Sequence, residues 1–164
     1  MMKYSFKLFV LLFAAFSMAL SSCKKFNTED GPDAEVQDSL LASTRIILDV
    51  YGFSPTSGDL GIAIYENAST FNSSTVYRDT FVSVNATDMT VEFNSIDVGT
   101  YAISLFHDEN SNGEMDKNVL GLPLEGFGFS NNPSIGFSEP TFSECNFDIE
   151  AGQEVFVPVN LIYF

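Results

Sequence analysis

From residue 44 onward, apolar and polar positions alternate. Around "TVEFNSI" (90–96), Met89, Val91 and Phe93 fall on one side and Thr90, Glu92 and Asn94 on the other, the two-residue period of a strand with one buried face. Comparable runs, rich in β-branched and aromatic residues, occupy 45–53, 59–67, 79–85, 100–108, 144–150 and 154–164, and each reads as a strand. Turn clusters at 54–59, 67–74, 85–88, 97–100 and 150–154 separate them, several with the composition of hairpins. No segment keeps a helical period for any length. The pattern predicts an all-β domain over 44–164, a seven-stranded immunoglobulin-like β-sandwich. Pro158 lacks a backbone donor, so the last strand belongs at an edge or carries a bulge.

The alternation is absent before residue 44. Residues 1–22 begin with Lys3 and Lys7, continue through an apolar stretch from Leu8 to Leu20 and end in small residues before Cys23. That is the layout of a secretory signal peptide, and the stretch is shorter than the roughly 18 residues a membrane-spanning helix needs. The sequence "LSSC" resembles a bacterial lipobox, which implies cleavage behind Ser22 and diacylglycerol transfer to Cys23. More than one acyl chain would then hold the protein durably on a membrane. Residues 23–43 mix Lys, acids, Gly and Pro with few large apolar side chains, a tether composition. Within it, Asp38-Ser39-Leu40 resembles an O-glycosylation sequon of Bacteroidota. The expected address is the cell envelope, lipid-anchored to the outer membrane and facing the periplasm or the surface.

Charge narrows the partners. The 164 residues carry a net −15; Lys3 and Lys7 fall in the acid-free leader, so the remainder sets five cations against 22 acids, a net of −17. This argues against nucleic acid and against electrostatic docking on anionic lipid, and suits cation binding or solubility. With Cys23 assigned to lipid, Cys145 has no disulfide partner. It alternates with Phe147 and Ile149, which predicts a buried thiol on a strand face. Seventeen Phe and no Trp supply core and loop-packing aromatics.

The segment most suggestive of chemistry is "FHDENSNGEMDKNVLG" (106–121). Counted from Asp108, it offers Asp108, Asn110 and Asn112 at alternate positions, Gly113 for a sharp turn, the Glu114 carbonyl, and Asp116 at the ninth place, which matches most of a calcium loop. The bidentate acid expected at the twelfth place is replaced by Val119, and Glu125 is the acid that could enter instead. The competing reading is an Asx-capped turn with Asn112-Gly113 at a type I′ hairpin. His107, beside this loop, has no neighbouring nucleophile in the sequence and reads as a packed or solvent-facing histidine.

Two longer stretches carry resemblances. "IDVGTYAISLF" resembles the turn-then-strand of prealbumin-like and Cna-B-like sandwiches, with Tyr101 as a corner residue whose ring enters the core while its hydroxyl reaches a backbone group. "HDENSNGEMD" followed by "GLPLEGFGFSNN" (107–132) resembles the signature of the bacterial domain-of-unknown-function family 2141, and the likeness extends in strand pattern over about 44–163. The resemblance implies an exported β-sandwich with no assigned enzyme activity. The second half of the signature, 125–137, is too rich in Gly, Asn and Phe for a regular element and reads as a structured loop.

These observations favour a non-catalytic envelope lipoprotein that binds an envelope protein or glycan, with calcium as its one candidate cofactor. A carbohydrate-binding module would stack Phe127, Phe129 and Phe137 on sugar rings beside Asn131 and Asn132. A small glycosidase would need two facing carboxylates such as Asp108 and Glu125.

Overall fold

Ile46, Leu48 and Val50 alternate along one strand and are all fully buried, so the sandwich core begins with the first strand of the domain. The computed structural model describes residues 44–136 and 138–164. The leader, Cys23, the tether with Asp38-Ser39-Leu40, and Phe137 lie outside the described residues. The elements are β1 (Arg45–Tyr51), β2 (Asp59–Tyr65), β3 (Arg78–Ser83), β4 (Asp88–Asn94), β5 (Gly99–Asp108), β6 (Gly126–Phe129), a short helix α1 (Phe142–Cys145), β7 (Phe147–Ile149) and β8 (Glu154–Asn160). One sheet has the order β4-β1-β8 and the other β3-β2-β5-β6, with β7 pairing the start of β5.

The sandwich therefore has eight strands, not seven. The extra strand is β6, inside the 125–137 stretch expected to be a loop. Glycine has low strand propensity, but here "GFGF" is itself a two-residue alternation. Gly126 and Gly128 face crowded ground: a Cβ at Gly126 would lie 2.4 Å from the Tyr163 ring, and one at Gly128 2.6 Å from Val159 Cγ1. Phe127 and Phe129 turn to the other face. Tertiary packing demanded glycine where propensity argued against a strand.

The turn clusters also do a different job from the one expected. Those at 54–59, 85–88, 97–100 and 150–154 carry the chain from one sheet to the other. Turn residues mark where a chain reverses, not which strand it then pairs with. Pro158 sits on β8, an edge of the three-stranded sheet as predicted. β8 lies parallel to β1, with Arg45 opposite Glu154.

Between the sheets, Ile46, Leu48 and Val50 meet Leu60, Ile64, Ile103, Val157 and Val159. Tyr101 closes the corner as predicted: its ring is buried, its hydroxyl donates to the Asp97 carbonyl at 3.0 Å, and burial raises its phenol pKa. A second apolar cluster covers the outer face of the larger sheet, where Ala102, Phe127, Phe129 and Cys145 are joined by Phe71, Phe106, Met115 and Phe142. Cys145 is fully buried there, but on α1 and apart from Ile149 and Phe147, which belong to the inter-sheet core. A capping box of Thr141 and Glu144 ends the strand pattern before Cys145 and starts that helical turn.

Candidate functional site

The 17-residue span between β5 and β6 is organised by two buried carboxylates. Asp108 Oδ1 accepts from Asn112 N at 3.0 Å and Oδ2 from Gly113 N at 2.7 Å; Glu125 Oε1 accepts from Glu109 N and Oε2 from Asp116 N, both at 2.9 Å. Four backbone donors that would be orphaned in a tight loop are satisfied by two side chains, the strong charge-assisted kind of hydrogen bond. Asn110 accepts from Asn112 N and Asn112 from Glu114 N. Their amide nitrogens then point at Asp116, at 2.7 and 3.3 Å. Asp108, Asn110, Asn112 and Asp116 thus form one network, tied to Glu125 through the Asp116 amide, while the Glu114 side chain stays outside it. Positive φ falls on Ser111 and Gly113, not on Asn112, so the turn is not type I′, which requires two consecutive positive-φ residues.

Among the described residues, no three of His, Cys, Asp and Glu are gathered as a metal-holding group. The loop's donors are oxygens, the set that suits calcium and not zinc. A carboxylate has about four acceptor positions, and Asp108 and Asp116 each use two here.

His107 is fully buried. Its Nε2 lies 2.6 Å from the Ser57 carbonyl and its Nδ1 2.8 Å from the Tyr163 hydroxyl. A carbonyl can only accept, so Nε2 carries a proton. Tyr163 Oη also accepts from Ser54 N, and burial raises its phenol pKa. The imidazole fastens the 54–57 turn to the C-terminal segment.

Asn131 donates to the Asn146 carbonyl at 2.7 Å, while Asn132 donates to the Pro158 carbonyl and accepts from Asn160 N. Asn132 thereby covers the open edge of β8. Phe127 and Phe129 are only 7% and 9% exposed, so they offer no open stacking platform.

Those two rings instead line a groove of 460 Å³ on the outer sheet face, together with Ser104 and Phe106 of β5, Met115, Lys117, Leu120 and Leu122 of the β5–β6 span, and Ile135, Glu139 and Pro140 of the following segment. Asp108 and Glu125 are not among its lining residues. One wall is a small hairpin in which Lys117 bridges Pro123 and the Asn118 side chain accepts from Leu120 N and Leu122 N. The backbone N–H groups of Asn118, Leu120, Gly121 and Leu122 are satisfied within the hairpin, and its aliphatic chains are exposed: Val119 is 101% and Leu120 80% solvent-accessible.

Beyond the groove's own lining, one more ring lies on the same sheet face. Register places Phe81, Gly61, Phe106 and Phe127 side by side on β3, β2, β5 and β6. A Cβ at Gly61 would lie 2.5 Å from Phe106 Cε1, so the bare glycine lets that ring lie over β2 toward Phe81, at 5.9 Å between centroids. Phe81, Phe106, Leu120 and Leu122 were not among the residues the sequence pointed to; for the two leucines the signal was the uncharged aliphatic run "VLGLPL" (119–124), which does not alternate as a strand would.

A family model described as an uncharacterized protein conserved in bacteria (DUF2141) matches residues 48–156, from within β1 to within β8. The chain belongs to this family. The DUF2141 match takes in β2 to β7 whole, parts of β1 and β8, the carboxylate-organised span and the groove lining apart from Phe164. No curated protein and no solved structure matches the chain.

Proposed function

We propose that this protein is a non-catalytic, lipid-anchored binding module of the cell envelope, and that it binds through the groove on the outer face of its larger sheet. The carrying observation is the groove itself. Its 460 Å³ lies within the roughly 300–1,000 Å³ range of small-molecule sites, and its lining is mainly Phe, Leu, Ile and Pro with a few polar groups. Exposed aliphatic residues beside it, Leu120, Leu122 and Leu124, are costly in solvent unless a partner covers them. The non-catalytic part is supported by the polar residues: His107, Asp108 and Glu125 all hold backbone groups or a neighbouring turn. The apolar leader and "LSSC" support the anchor.

The groove is tested with Nile red, a neutral apolar dye, on the full chain. Wild type is expected to bind it, with affinity lost in Leu120→Asp/Leu122→Asp, two exposed sites, at an unchanged unfolding midpoint. Equal dye binding by both proteins overturns the groove. The anchor is tested by fractionating cells that carry Cys23→Ser; a protein that stays with the membrane unchanged is not held there by lipid at Cys23.

Calcium belongs to the same proposal as a stabiliser of the span that builds the groove wall. Asp108, Asp116 and Glu125 share one network whose sequence neighbours include the further acids Glu109 and Glu114. A divalent cation would relieve their repulsion, provided Asn110 and Asn112 turn their carbonyl oxygens toward it.

A further inference from the structure

The described residues contain three cations. Arg45 pairs with Glu154 and Glu92, and Arg78 donates to the Asn94 carbonyl and lies over the Tyr77 ring. Lys117 has no ion-pair partner among the described residues, and it lines the groove. A lone ammonium beside an apolar trough is the complement of a molecule with one anionic end and a hydrocarbon body.

The row of rings fits such a body. Neighbouring strands lie about 4.8 Å apart, so the line from Phe81 on β3, beside the groove, to Phe127 on β6 within it runs about 14 Å. Phe side chains present no donors or acceptors to sugar hydroxyls. The paired interior of a sheet face offers no backbone groups to a peptide strand. Glu139 is the one carboxylate in the lining, and it accepts from Asn72 at 3.4 Å. Asp116, the chain neighbour of Lys117, is outside the lining and its carboxylate accepts from the Asn110 and Asn112 side chains; acids beyond about 8 Å are screened at physiological ionic strength, so Lys117 is the charge that faces the head group.

Resting on the groove reading above, we propose that the ligand is a single-chain amphiphile with an anionic head, its tail lying in the groove that Phe106, Leu120 and Leu122 help to line and its head beside Lys117. The test is calorimetric titration of the full chain carrying Cys23→Ser, so that no acyl group of its own competes. The ligands are dodecanoate, dodecanol and dodecyltrimethylammonium, each below its micelle-forming concentration. Dodecanoate is expected to bind about fivefold tighter than dodecyltrimethylammonium, the scale of an exposed ion pair. Lys117→Gln, an exposed site, should remove that preference and leave dodecanol unaffected. If the three bind alike and Lys117→Gln changes nothing, the head-group assignment is overturned while the groove stands. If Nile red binds but no alkyl chain does, the amphiphile is wrong and the groove is right; if neither binds, both fall.

Discussion

Glu125 shows how much structure one side chain can hold. Each of its oxygens accepts one backbone N–H, from Glu109 and from Asp116, and it is buried. Glu125→Gln keeps the shape but turns an NH₂ toward one of those donors. We expect a loss of about 1–3 kcal/mol in denaturant unfolding, the cost of a buried group left unsatisfied; an unchanged midpoint would mean the span is held by other contacts. Cys145 gives a second prediction at this scale. Burial pushes its thiol up to about 11, so the native protein should react slowly with thiol reagents at pH 7 and faster as pH rises toward that value. The sign for stability follows: the folded state holds the proton more tightly, so Cys145 contributes stability below the ordinary thiol range and loses it as pH climbs through about 8.5 to about 11. Rapid labelling at neutral pH would contradict the burial. The alternation in "ECNFDIE" made that burial legible but hid the helical turn, because the capping interactions of Thr141 and Glu144 are local geometry that period alone does not reveal.

Among the elements, β6 was the hardest to foresee. Its glycines are required by Tyr163 and Val159, residues more than 30 positions away, and nothing within 125–137 announces them. Gly126→Ala should therefore be overpacked, since a Cβ would meet the Tyr163 ring at under 3 Å, with a cost of about 1–3 kcal/mol read from urea unfolding; a neutral result would show that the ring moves aside freely. The strands with β-branched cores were legible because Val and Ile at alternate positions state both the element and its buried face. The span after β5 was half legible: the residues gave the Asx pattern, but the role of Glu125 depends on the chain returning. Its calcium proposal predicts a rise in melting temperature at millimolar calcium but not at millimolar magnesium, which demands a stiffer octahedral shell. At calcium one hundredfold above its dissociation constant the gain would be about 2.7 kcal/mol. If the transition does not move, hydrogen bonds alone hold the span.

For the molecule as a whole, the sandwich was readable from the alternation and the family from the resemblance of 107–132 to its signature, whereas the groove was not. A groove depends on which rings share a face, and that is set by register: Phe81, Gly61, Phe106 and Phe127 are distant in sequence and adjacent only in the sheet. The parallel pairing of β8 with β1 bears on how the domain forms. β1 is the middle strand of its sheet, and its neighbour β8 contains the contact from Glu154 to Arg45, 109 residues apart. The three-stranded sheet cannot close until β8 has been made, and pairings between such distant segments slow folding. For the envelope address proposed above, that delay would keep the chain threadable until β8 emerges. Removing 154–164 should accordingly leave a protein with no cooperative unfolding transition; a truncated chain that still melts sharply would show that β1 and β4 can close the sandwich by themselves.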